Sequence, residues 1–212
     1  MLKYDASHDF THIKRVVGLA NQIYSELGIP SNDENYPQPK LDLELITLSA
    51  LLHDVGDRKY LNEGEDGTKS IHNLLTQSGV DEQFASKVQI ICSAISYTAE
   101  IGNPEAVLAH IREYPELAVV QDADRLDTLG AIGIGRVFTY AGAKTTRGLA
   151  DSLELFDKRL FVLESMMKTA PGRRMAKQRT EIMRNFKRVW EEELRMERLG
   201  EMVLKGSSQI SN

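Results

Sequence analysis

The sequence predicts an all-α fold, a single helical bundle. Most segments repeat their apolar residues with helical period, and the alternation expected of strands is weak throughout. The breakers Gly28, Pro30 and Pro171-Gly172 fall between apolar runs and not inside them. A chain of 212 residues is long enough for one sizeable core and need not divide. Residues 1–200 are expected to form that domain, and residues 201–212 a frayed C-terminal tail.

The first helix is expected to start near Ser7, an N-cap residue, and to carry Phe10, Ile13, Val17, Ala20, Tyr24 and Leu27. Gly28 ends it at the C′ position, with Pro30 just beyond. Residues 30–40 are rich in Pro, Asn and Asp and read as a loop. The second helix covers about 41–55, and Gly64–Gly67 marks a flexible loop after it. Helices follow at about 68–78, 81–97 and 104–112, the third opened by Pro104 at its first position. Residues 115–130 form a further helix, continued by another to about Tyr140. Residues 141–150 read as a mobile loop carrying Lys144 and Arg147. Two longer helices close the fold at about 151–168 and 173–198, separated by Pro171-Gly172.

Charge and cysteine usage narrow the function. A net charge of -5 gives no support to a nucleic-acid polymer as partner, because phosphate backbones require a basic surface. A local basic pocket for one small phosphorylated molecule remains compatible with it. Cys92 is the single cysteine, so no internal disulfide forms, and its apolar context reads as a buried structural thiol. The segment Met1–His8 lacks the apolar core of a signal peptide, and no run is long enough to span a bilayer. The expectation is therefore no membrane partner and a reducing, cytoplasmic compartment. A homodimer is compatible with the chain.

The chemistry gathers on a few residues. The apolar run Leu41–Leu52 ends on His53-Asp54, which delivers an imidazole and a carboxylate side by side to a core-facing position. Burying polar groups without partners costs roughly 2–7 kcal/mol each, so something must compensate. A divalent cation does so, and His12 upstream and Asp124 downstream complete a mixed N/O donor set suited to a transition metal. Periodicity leaves the acidic helix open. Leu117, Val120, Asp124 and Asp127 share one stripe, while Asp122 aligns with Val119, Leu126 and Leu129. An acidic helix whose carboxylates cap neighbours or pair with Arg125 is the plain structural alternative.

The ordered set His12 in His-Ile-Lys-Arg-Val, His53-Asp54 in Ala-Leu-Leu-His-Asp-Val-Gly and Asp124 in Ala-Asp-Arg-Leu resembles the HD-domain superfamily of metal-dependent phosphohydrolases. Ser7–His12, His53–Lys59 and Val120–Gly133 bring it nearer to the branch similar to nucleoside-triphosphate pyrophosphohydrolases. The similarity runs from about residue 7 to about 195. It implies one divalent metal ion held by His12, His53, Asp54 and Asp124. Manganese is favoured, and cobalt, nickel, magnesium, zinc or iron(II) remain compatible. It also implies that Asp57 orients the attacking water and that Lys59 holds a phosphate, with Arg15, His72, Asp127 and Lys144 as further substrate contacts. Asp122 and Asp127 are also read as supports for neighbouring ligands.

The expected reaction is hydrolysis of a (deoxy)nucleoside triphosphate to a monophosphate and pyrophosphate. The alternatives are a deoxynucleoside 5′-monophosphate phosphatase and a non-catalytic metal and nucleotide sensor. A di-iron oxygenase on the same fold would need further histidines between His53 and Asp124. Only His72 and His110 lie there, and the segment Val88–Tyr97 has none.

Overall fold

A computed structural model describes residues 10–28, 40–55, 67–144 and 149–207. These residues are helical and include no strand. Helix α1 (Phe10–Leu27) buries His12, Val16, Leu19, Ala20 and Ile23 on one stripe. It ends where Gly28 N donates to Tyr24 O at 3.0 Å. Helix α2 (Leu43–Leu52) starts at Asp42, whose carboxylate accepts from the amides of Glu44 and Leu45 at 2.9 and 3.2 Å. The Asp42 amide in turn donates to Glu116 Oε1 at 2.9 Å, which ties this end to a distant helix.

That distant helix is the axis of the fold. After a 3-10 turn (Gly67–Lys69) come α3 (Ser70–Gln77), α4 (Glu82–Ala94), α5 (Tyr97–Gly102), α6 (Pro104–Glu113) and α7 (Glu116–Asp127). Helix α7 packs against α1, α2, α4 and α6 on its several sides. Every residue of α7 is buried except Asp124. A helix buried all round is a core helix, and its polar side chains must then find partners inside the protein. They do so. Gln121 Nε2 donates to Ala94 O at 2.8 Å, and Arg125 reaches Met166 O and the carboxylate of Glu100. Asp122 accepts from the amides of Lys168 and Thr169 at 2.9 and 2.8 Å and from the Thr169 hydroxyl at 2.7 Å.

The second half of the chain wraps this axis. Helix α8 (Gly130–Lys144) leaves α7 through Gly130, at φ +75°, a backbone region open to glycine. Helix α9 (Leu149–Leu155), a π-helical turn (Phe156–Leu160) and α10 (Phe161–Ser165) follow. Helix α11 (Ala170–Glu193) packs on α7 and α8, and α12 (Arg195–Ser207) extends from it. Phe138 of α8 stacks on Trp190 of α11 at 5.3 Å between ring centroids, beside Phe186 and the fully buried Phe156.

Several expected boundaries move. The helix read over 81–97 ends at Ala94, and Ser96 caps a new one by accepting from Ala99 N at 3.0 Å. The helix read over 115–130 stops at Asp127, because Gly130 turns the chain. Much of the expected loop 141–150 is helical, as α8 reaches Lys144 and α9 begins at Leu149. Pro171-Gly172 lies inside the first turn of α11, where Thr169 caps the Gly172 amide at 3.0 Å. A Cβ on Gly172 would meet Asp122 Oδ2 at 2.2 Å, so only glycine fits there. Gly200 sits within α12, which runs to Ser207. No helix among the described residues is long and apolar enough to cross a membrane.

Candidate metal centre

The centre forms where the end of α2 meets α1 and α7. His53 is the C-cap of α2, and its Nδ1 donates to Ala50 O at 2.8 Å. That bond turns its Nε2 inward. His12 projects from the buried stripe of α1, and its Nδ1 donates to Asp127 Oδ2 at 2.7 Å. Its Nε2 therefore also faces inward, and the two Nε2 atoms lie 3.3 Å apart. Asp124 Oδ1 stands 3.5 Å from His12 Nε2 and 3.6 Å from His53 Nε2. Asp54 presents Oδ2 at 3.9 Å from His12 Nε2 and Oδ1 at 3.7 Å from His53 Nε2.

The proton inventory tests whether a cation fits. A carbonyl and an ionised carboxylate only accept, so a ring that carries its proton on Nδ1 satisfies both contacts. Each Nε2 is then a lone pair. Two imidazole nitrogens and the Asp124 carboxylate converge, with Asp54 alongside but outside that tightest group, and a positive charge at the centre would offset the charge of the acids. One donor atom each from His12, His53 and Asp124 all lie within 4.8 Å of one another, close enough to share an ion. The histidine side chains are 3% and 4% exposed, whereas those of Asp54 and Asp124 are 23% and 25% exposed. The centre is thus walled by imidazoles on one side and reachable from solvent over its acids. The donor set fits a divalent transition metal.

Behind His12 lies a buried charge cluster. Asp127 is 1% exposed and accepts from Arg15 Nε at 2.6 Å, Arg15 Nη2 at 3.0 Å and Arg136 Nη1 at 2.6 Å, besides His12. Burial pushes its carboxyl up, but the hydrogen bonds from His12 and Arg15 and the charge of Arg136 outweigh this and hold it down at about 2. Among the described residues the partners of Asp127 are all internal, which puts it in a supporting position behind His12. Arg15 bonds both Asp127 and the Thr11 hydroxyl, with its side chain 33% exposed. Arg136, from α8, was not singled out in the sequence. It follows Asp127 by nine residues across the turn at Gly130, and no spacing rule links them.

Of the remaining expected residues, several lie outside the described part of the chain. Asp57 and Lys59 lie outside the described residues, as do Arg58 and Arg147, and so does the side chain of Lys144. His72 is half-buried on α3, its amide donating to Gln89 Oε1 at 3.2 Å and its ring Nδ1 3.5 Å from Asn73 Oδ1. His110 is half-buried on α6. Neither belongs to the ligand group found among the described residues. Asp122 faces Thr169 on the far side of α7. Burial pushes its carboxyl up against the opposing bonds from Lys168 and Thr169.

Comparison with known proteins identifies the family. The model of the HD domain family matches residues 9–129, which span α1 to the end of α7. The Bacillus subtilis protein YpgQ is 31% identical over 192 residues, 89% of this chain and 85% of that protein. The crystal structure of YpgQ in complex with ADP superposes with a TM-score of 0.68 at 31% identity, covering 89% of this chain and 90% of that one. An HD-superfamily hydrolase from Bacillus thuringiensis gives 0.63 at 31% identity, covering 89% and 87%. The chain belongs to the HD domain family and is a metal-dependent phosphohydrolase with an all-α fold.

Proposed function

We propose that the substrate is a (deoxy)nucleoside triphosphate, hydrolysed between its α and β phosphates to a monophosphate and pyrophosphate. The observation that carries the nucleotide reading is the ADP bound by YpgQ, a relative matching nearly the whole length of this chain. The resemblance of Ser7–His12, His53–Lys59 and Val120–Gly133 to pyrophosphohydrolases supports the choice of bond.

His12 and His53 offer Nε2, and Asp54 and Asp124 offer carboxylate oxygens, to one divalent ion, for which manganese is favoured. When bound, such an ion supplies Lewis-acid charge for the phosphoryl oxygens and makes a coordinated water more acidic. Asp57 orients the attacking water and takes its proton. The water oxygen bonds to the α phosphorus as the bond to the bridging oxygen breaks, and pyrophosphate leaves with the electron pair. Lys59, with Arg15, His72 and Lys144, grips the phosphates beyond the scissile bond. The half-buried acids of the centre give the substrate its side of approach.

A manganese-supplemented screen of nucleoside mono-, di- and triphosphates with product analysis tests this. The expected result is monophosphate and pyrophosphate in equal amounts from a triphosphate. Orthophosphate released from deoxynucleoside monophosphates would replace it with the monophosphatase reading. Tight nucleotide binding without turnover would indicate a sensor. His53→Ala and Asp54→Ala should each lose both metal and activity, and full activity in metal-stripped His53→Ala protein would remove this centre from the reaction.

A further inference from the structure

We propose that Asp127 is a positioning residue for the metal centre: it fixes His12 in the tautomer that carries its proton on Nδ1 and so keeps Nε2 open as a ligand, against Arg136, which would impose the opposite one. The inference rests on His12 being a metal ligand, and its first test does not.

Two acids one helical turn apart bracket the His12 ring. Asp124 lies 3.5 Å from Nε2 and Asp127 lies 2.7 Å from Nδ1. Their spacing of three residues on α7 puts both on the face that meets α1. The ring is 2% exposed, so water cannot supply what the protein withholds. Its tautomer is set by whichever group holds Nδ1.

Among the described residues, two groups contend for that atom. Asp127 Oδ2 accepts a proton from it, while Arg136 Nη1, 3.0 Å away, can only donate one. With Asp127 in place the contact between Arg136 and Nδ1 sets one donor beside another, tolerable because both converge on the same carboxylate oxygen. Without that carboxylate, Arg136 donates to Nδ1, and the ring proton moves to Nε2. It would then point at His53 Nε2 and Asp124 Oδ1, where the ion must sit. Arg15 matters here because its two bonds hold Asp127 in register without touching the ring.

Arg136 lies beyond residues 9–129, the part of the chain that matches the HD domain family. It is brought to His12 by the turn at Gly130, so the control of this ligand depends on a helix outside the matched region.

The test is the 15N–1H correlation spectrum of the histidine rings in metal-free protein at about pH 8, where an ordinary imidazole is neutral. It is followed by manganese titration of each variant. In the wild type, His12 should show the proton on Nδ1; a proton on Nε2 overturns the proposal with no variant needed. Asp127→Asn should move it to Nε2, because the single amide oxygen goes to the arginines, and should weaken manganese binding by about 10–100-fold. Arg136→Met should keep the proton on Nδ1 and bind manganese within a few-fold of wild type. An unchanged His12 tautomer and manganese affinity in Asp127→Asn overturn the proposal. Wild-type protein that shows the expected tautomer but binds no manganese would remove the ligand reading and leave the ring geometry standing.

Discussion

Asp122 and Asp124 stand two residues apart on α7 and serve opposite sides of it. Asp122 Oδ2 takes the Thr169 hydroxyl at 2.7 Å, whereas Asp124 Oδ1 faces His12 Nε2 at 3.5 Å. One carboxylate anchors the start of α11 and the other faces the candidate metal centre. Asp124→Asn should therefore lose the ion while remaining folded. Asp122→Asn should keep it but melt earlier, because three donors converge on two oxygens and an amide offers only one. The cost is about 1–3 kcal/mol for a buried donor left without its acceptor. Metal content and thermal melts on the two variants decide, and the reverse pattern would show that the centre has been placed on the wrong face of α7.

If Asp57 orients the water and Lys59 holds a phosphate, as proposed, variants of the two should separate chemistry from binding. Asp57→Asn should keep metal content and substrate affinity near wild type while kcat falls by about 10²–10⁴. Lys59→Ala should chiefly raise KM, and more for a triphosphate than for a monophosphate. Equal loss on both substrates would argue for the monophosphatase, and wild-type turnover by Asp57→Asn would take that residue out of the mechanism.

Acid should unfold this protein partly through Asp127. Its carboxyl is held at about 2 in the folded chain, against about 3.9 for an ordinary aspartate. A lowered acid stabilises the fold fully above the unfolded value and loses that contribution as pH falls through the folded one. Denaturant-measured stability should therefore fall more steeply between about pH 4 and pH 2 in the wild type than in Asp127→Asn. Parallel curves would mean that the cluster of Asp127 with His12, Arg15 and Arg136 adds no pH-linked stability.

Cys92 should be inert. It is 8% exposed on α4, and burial pushes its thiol up to about 12, with a smaller opposing effect from Ser49. A thiol so far from its ionised form is a poor nucleophile at neutral pH. Ellman's reagent should react with native protein only as fast as the protein opens, and immediately in denaturant. Rapid reaction in the folded state would contradict the burial.

The metal-ligand candidates were largely legible in the sequence, for a local reason. His53-Asp54 ends an apolar run, so the chemistry stands out against its background, and His12 lies on a stripe with a clear apolar face. Asp124 was not separable from its neighbours by periodicity. The cause is now physical: α7 is buried on every side, and a helix without a solvent face has no polar stripe for a pattern to reveal. Asp122, Arg125 and Asp127 are enclosed, each with internal partners.

The all-α class, the adjacent His53-Asp54 pair and the family can be read from the sequence, because helical period and a short ordered motif are properties of neighbouring residues. Only the tertiary structure decided that Asp124 is the one residue of α7 left unburied, that Asp127 holds His12 from behind, and that Arg136 joins it from α8. Those relations join residues 115 and 124 positions apart in the chain. They depend on how α1, α7 and α8 pack together, and hydrophobic periodicity within one helix does not encode which side chain of another helix it will meet.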